Sequence, residues 1–183
     1  MVLGRERREG RRAERATFGL RGSADRYQMR EKLLSIGDDF WIADESGRQV
    51  FKVDGKALRL RQTLIIEDAS GKPLVRIQDR PLRLREVMEI EDASGGNLAM
   101  VKKAMIAPLR QRYTIDLSDG GQLTAQGNIL DHEYEIESGG TKVAEVSRRW
   151  FRVRDTYGVQ IAPGQNTVLL LAVAVCIDQM VAG

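Results

Sequence analysis

Three stretches of this chain are near-copies: IADESGRQVFKV from Ile42, IEDASGKPLVRI from Ile66 and IEDASGGNLAMV from Ile90, spaced 24 residues apart. The matching positions are Ile42, Ile66 and Ile90; Asp44, Asp68 and Asp92; Ser46, Ser70 and Ser94; and Gly47, Gly71 and Gly95. Looser copies follow in IDLSDGGQLTAQ from Ile115 and IESGGTKVAEV from Ile136, and VRDTYGVQI from Val153 offers a sixth turn. Asp-x-Ser-Gly supplies a side-chain acceptor for a turn and then a glycine free to take positive φ. The flanks alternate polar and apolar, as in RYTIDL and HEYEIE before turns and QVFKV and KVAEV after them. Each copy is therefore a β-hairpin. Five or six hairpins make ten to twelve antiparallel strands, the first expected to start near Tyr27 in YQMREKLLSI. A meander of that size must close on itself or leave exposed edges.

What could fill a closed sheet is written at the end of the chain. Val168 to Ile177 is an unbroken apolar run in a protein that is 30% charged. It is too short to span a bilayer, which takes about 20 residues. Pro163-Gly164 breaks the preceding strand, and Asn166 or Thr167 can cap a helix. Ala172 and Ala174 favour helix over strand. With no polar stripe at helical spacing, the segment has to be surrounded on all sides. A barrel of about a dozen strands has a lumen that its own side chains cannot fill but a helix can. The expected fold is mainly β: a closed antiparallel barrel of about 12 strands around a buried C-terminal hydrophobic helix. A further core strand in a sandwich is the competing use of the run.

The segments MREKLLSIGDDFWIADESGRQVFKVDGKAL, LDHEYEIE, VSRRWFRVRDTYGVQIAPG and LLLAVAVCIDQM are similar to the LURP-one-related family. The resemblance covers about residues 27–181. It implies the fold that this family shares with the tubby C-terminal domain and the phospholipid scramblases, a 12-stranded barrel around a C-terminal hydrophobic helix. It brings no activity with it.

Residues 1–26 carry eight arginines against Glu6, Glu9, Glu14 and Asp25. The whole chain is +3, so residues 27–183 are close to neutral and the basic balance belongs to the tail. That removes most of the case for nucleic-acid binding. The tail has no apolar period and no apolar run of signal-peptide length. It reads as a disordered segment ahead of a single domain at 27–183. It could be an arm that touches acidic surfaces, a solvated extension, or an over-long start with Met29 as the initiator. A single cysteine, Cys176, rules out an intrachain disulfide and fits a reducing, cytoplasmic setting.

Nothing in the chain assembles into a catalytic constellation, so a non-enzymatic protein is expected. Its one histidine, His132, is flanked by Asp131 and Glu133, which on a strand would point to the opposite face. Without a second histidine a metal cluster has too few ligands, and the acidic turns lack EF-hand spacing. Phosphate-binding glycine loops and a nucleophile elbow are also missing. No cofactor or metal is expected.

Charge follows the repeat. The hairpin turns are acidic (DESG, EDASG, EDASG, SDGG, ESGG), and about half a period later the chain is basic: LRLR at 58–61, PLRLR at 81–85, PLRQR at 108–112 and SRRWFRVR at 147–154. LDHEYE at 130–135 breaks the pattern. In an up-and-down barrel these two sets gather at opposite ends. Leu-Arg-Leu-Arg also suits an ordinary strand, leucine inward and arginine in water. The functional alternative is a rim for anions, made from Arg59, Arg61, Arg83, Arg85, Arg110, Arg112, Arg149 and Arg152. Arginine forks match phosphate geometry. Tubby domains bind phosphatidylinositol bisphosphate, so the resemblance implies the same ligand class, without residue-by-residue transfer. The expected function is a binding module for anionic phospholipid head groups or another phosphorylated ligand, in the cytoplasm or at a peripheral membrane surface. The other class is a structural or protein-interaction scaffold with no small ligand.

Overall fold

A computed structural model describes residues 24–30, 39–55, 63–80, 86–104, 111–153 and 155–182. Twelve strands are present: β1 (Asp25–Arg30), β2 (Phe40–Asp44), β3 (Gln49–Asp54), β4 (Thr63–Asp68), β5 (Pro73–Asp79), β6 (Val87–Asp92), β7 (Asn97–Ala104), β8 (Arg112–Leu117), β9 (Gln122–Asn128), β10 (Glu133–Ser138), β11 (Thr141–Ser147) and β12 (Thr156–Ile161). They form a closed antiparallel barrel in which each strand pairs with its sequence neighbours. Closure comes from β1, which pairs with β12 from Asp25↔Ile161 to Arg30↔Thr156. A single helix, α1 (Thr167–Ala182), follows the last strand.

The repeat folds as its chemistry dictates. Asp44 Oδ1 accepts from the backbone N–H of Ser46 and of Arg48, both at 3.0 Å. Asp68 does the same for Ser70 and Lys72 at 2.8 and 3.0 Å. Asp92 does it for Ser94 and Gly96 at 2.8 and 2.9 Å. In each of these turns the glycine after the serine is left-handed, with φ between 82° and 90°. The extra residue this turn needs shifts the register at Ile42/Ala43, Ile66/Glu67 and Ile90/Glu91, so the repeat carries its own β-bulge. The fifth copy differs: Gly139 and Gly140, both at positive φ, form a two-residue turn between β10 and β11.

The three aspartates owe their low pKa values first to the neighbouring serine hydroxyl, then to backbone N–H donors. A carboxyl with a depressed folded pKa contributes stability above its unfolded value, near 4, and loses it as pH falls through the folded value. Replacing Asp44, Asp68 and Asp92 together by Asn keeps the acceptor and removes the titration. Thermal melts from pH 5 to pH 2 are expected to show a shallower acid loss in this variant than in wild type. Parallel curves would mean that the turns do not couple to protons.

The apolar run is the plug. Leu171 to Ile177 are each 0% exposed and Leu170 is 2% exposed. Asn166 caps α1, its Oδ1 accepting from Leu169 N at 3.1 Å. Sixteen residues give a helix of about 24 Å, matching strands of five to eight residues. Inward residues of every strand, among them Met29, Ile42, Ile66, Ile90, Ile115, Ile136 and Val159, form one cluster with the helix.

Two expectations need correction. The segment from Val153 holds no sixth hairpin turn in phase with the others: it leads into β12, at the opposite end from the Asp-x-Ser-Gly turns. Here a 3₁₀ turn (Arg148–Trp150) folds back over the wall, and Trp150 and Phe151 cover Gly158, where an added Cβ would lie 2.6 and 2.7 Å from their rings. That cover buries both faces of β12. The second correction concerns His132. It sits in the β9–β10 turn with φ 50°, so the strand argument about Asp131 and Glu133 does not hold.

Candidate functional site

Because the strands run up and down, the hairpin turns after β2, β4, β6, β8 and β10 share one end, and the chain leaves β1, β3, β5, β7, β9 and β11 at the other. Of the four basic segments, PLRQR at 108–112 runs into β8 and SRRWFRVR at 147–154 leaves β11, both on this second end. Arg59, Arg61, Arg83, Arg85 and Arg110 lie outside the described residues. Arg112 opens β8 and is exposed. Arg149 and Arg152 are exposed on the β11–β12 connection, three strand pairings from Arg112. Arg149 Nε lies 3.5 Å from Glu133 Oε1, and its side chain is 82% exposed. Such a contact is weak in water.

The charge at this end is mixed. Lys52 pairs with Asp39 at 2.9 Å, Lys103 with Glu86 at 3.2 Å, and Arg80 with Glu89 at 2.7 Å. Glu133 also accepts from Ser147 Oγ at 2.9 Å and Arg148 N at 3.1 Å, which ties the β9–β10 turn to the β11–β12 connection. LDHEYE, the acidic exception in the sequence pattern, thus acts as a joint between two connections.

Inside the same end, α1 finishes among polar groups that the sequence pattern did not reveal. Asp178 accepts a short hydrogen bond from the Tyr157 hydroxyl. His132 stacks on the Tyr157 ring with centroids 4.3 Å apart and planes 8° apart, and its Nδ1 lies 3.4 Å from Asp178 Oδ1. Burial pushes the Tyr113 phenol up to about 12, helped by the Glu86 and Asp178 carboxylates. Burial raises Tyr134 further in the same direction, again with Asp178 adding to the shift. Both phenols stay protonated at neutral pH. Among the described residues, Tyr113 Oη, Tyr134 Oη, Gln111 Oε1 and Gln179 Nε2 are buried without a hydrogen-bond partner. Such groups are ordinarily satisfied by ordered water. Cys176 is no nucleophile here, since complete burial holds its thiol far above its ordinary value. Among the described residues no group of three or more His, Cys, Asp or Glu side chains could hold a metal ion.

On the outer wall, a groove of about 600 Å³ is lined by Arg26, Glu133, Glu135, Glu145, Trp150 and Gln160, among others. Its charges are largely engaged. Arg26 lies 4.8 Å from the Trp150 ring centroid and donates to Gln160 Oε1 at 3.0 Å. Lys142 bridges Glu135 at 2.6 Å and Glu145 at 2.9 Å.

No helix among the described residues is long and apolar enough to cross a membrane. An X-ray structure of a protein from Arabidopsis thaliana superposes with a TM-score of 0.65, covering 88% of this chain and 94% of that one at 18% identity, which is a likeness of fold. The uncharacterised protein YxjI of Bacillus subtilis (strain 168) is 27% identical over 152 residues, 83% of this chain and 91% of the relative. The family model described as LURP-one-related matches residues 26–178. With most of the chain matched, and the barrel closed around its C-terminal helix, the protein belongs to the LURP-one-related family.

Proposed function

We propose that the protein is a non-enzymatic binding module whose arginine-bearing barrel end holds anionic phosphorylated groups, phospholipid head groups first among them. The observation that carries this reading is topological. Strand termini bordering all four basic segments share one end of a closed barrel, opposite the Asp-x-Ser-Gly turns. Arg112, Arg149 and Arg152, the described members of the set, are exposed there. Several arginines of that end converging on one phosphate cluster supply planar, charge-assisted contacts that isolated surface pairs do not.

The test is co-sedimentation of the full chain with anionic and neutral vesicles at low and moderate salt. Arg83→Glu with Arg85→Glu is compared with wild type, and Arg149→Glu with Arg152→Glu likewise. The basic N-terminal tail is common to all, so differences report the barrel end. Each basic group near an anionic surface contributes about 1 kcal/mol, so removing a pair is expected to weaken binding by roughly thirtyfold. Equal binding of wild type and both variants would sink this site. No preference for anionic over neutral vesicles, with no binding of soluble inositol phosphates, would sink the ligand class and leave the scaffold reading.

A further inference from the structure

Among the described residues exposed large apolar side chains are rare, and they are not scattered. Among the described residues only Leu130 (61% exposed), Val153 (60%) and Trp41 (37%) qualify. All three are at the arginine-bearing end. Leu130 is in the β9–β10 turn, Val153 is in the β11–β12 connection, and Trp41 is the second residue of β2. In the barrel β9, β10, β11, β12, β1 and β2 are consecutive, so the three residues lie along one half of this end, Trp41 on the outer face of β2. The end carrying the Asp-x-Ser-Gly turns has no such residue among those described.

Single exposed apolar residues are ordinary on a protein surface, and the gathering of all three described ones at one end is not. Their surroundings narrow the partner. Arg30, Arg148, Arg149 and Arg152 stand in the same sector and are exposed. Among the described residues the acids there are Asp131, which accepts from Asn128 Nδ2 at 2.5 Å, Glu133, engaged by Ser147 and Arg149, and exposed Asp155. Asp39 is paired with Lys52, the cross-strand neighbour of Trp41. Cationic groups thus slightly outnumber acidic ones around an indole and two aliphatic tips. That composition suits the boundary between lipid head groups and acyl chains, where indoles settle and basic groups meet phosphate. The β9–β10 turn and the β11–β12 connection are tied together through Glu133, so Leu130 and Val153 are presented on a joined platform.

We infer that this sector docks on an anionic lipid bilayer by inserting Leu130 and Val153, with Trp41 at the head-group level. This rests on the anion-binding reading for its charge and adds the apolar term that distinguishes a membrane from a soluble phosphorylated ligand. Because the sector's net charge is small, its contribution resists salt, whereas the arginine contribution is screened within about 10 Å at 0.1 M salt.

The experiment is partition of the full chain onto phosphatidylserine-containing vesicles, comparing wild type with Leu130→Ser, Val153→Ser and the double variant. These positions are exposed and uncharged, so the variants keep the fold and the charge, verified by unchanged thermal melts. Each substitution is expected to weaken partition about fivefold and the pair about twenty-five-fold, the scale of burying most of one aliphatic side chain. Brominated acyl chains are expected to quench the tryptophan signal, and Trp41→Phe is expected to remove most of that quenching. If wild type binds the vesicles and the double variant binds equally, insertion is overturned while the anion-binding reading stands. If wild type binds inositol hexakisphosphate in solution but no vesicles, membrane docking is overturned and the arginine site again stands. Binding of neither overturns both, and the apolar sector is then a contact for another protein.

Discussion

Leu171→Asp is expected to abolish the folded state. Leu171 is 0% exposed on a helix that the barrel surrounds. Losing a buried leucine costs about 2–5 kcal/mol. Burying a polar group with no partner costs about 2–7 kcal/mol more, and an unpaired charge exceeds that. Domains of ordinary stability have about 5–15 kcal/mol in total. A barrel of this width has no other way to fill its lumen, so the strands cannot collapse to heal the defect. Removing residues 165–183 is expected to do the same more severely, leaving an insoluble or molten chain. Two measurements check this. Dispersed amide signals should vanish in both variants. In wild type, the Cys176 thiol, 0% exposed, should resist alkylation until denaturant is added. A truncated protein that stays soluble with sharp amide signals would show that the helix is not the core.

Gly127→Val is the second large effect, and its origin lies in the backbone. Gly127 has φ 144°, and a Cβ there would lie 2.6 Å from the Glu133 carbonyl oxygen and 2.7 Å from Tyr134 Cα. Main-chain atoms of the paired strand β10 cannot rotate away as a side-chain tip can. Strain and overpacking together are expected to cost about 3 kcal/mol or more. For a chain of this size that lowers Tm by roughly 10 °C. The control is Gly71→Asn. Gly71 is also left-handed at φ 85°, but nothing lies within 4 Å of its Cβ position, and asparagine tolerates that conformation. Its melting point should stay within a few degrees of wild type. Equal losses at the two positions would show that φ alone, and not the approach of β10, sets the cost. The perturbation should also be felt at Tyr134, whose Cβ would lie 2.9 Å from the new atom.

Features with short-range causes are legible in the amino-acid sequence alone. Asp-x-Ser-Gly closes hydrogen bonds two and four residues on, so three hairpins could be placed from a 24-residue period. Asn166 caps α1 from three residues away, and ten apolar positions in a row can only be enclosed. The same period foretold which strand termini share an end, and with them the common side of Arg112, Arg149 and Arg152. Features with long-range causes depend on register across the closed barrel. Asp178 meets Tyr157 and His132 because the last turn of α1, the start of β12 and the β9–β10 turn converge, 21 and 46 residues apart in the chain. Glu133 is a joint for the β11–β12 connection, although next to His132 it looked like part of an acid–base pair. Gly127 reads as one more flexible residue until β10 is laid against it. The repeat did not single out Leu130, Val153 or Trp41, whose exposure follows from two strand connections and from the outer face of β2. Local sequence encodes turns and caps because their partners lie within a few residues. A barrel's mouth is assembled from twelve strand ends, and which side chains meet there is set by how the sheet closes.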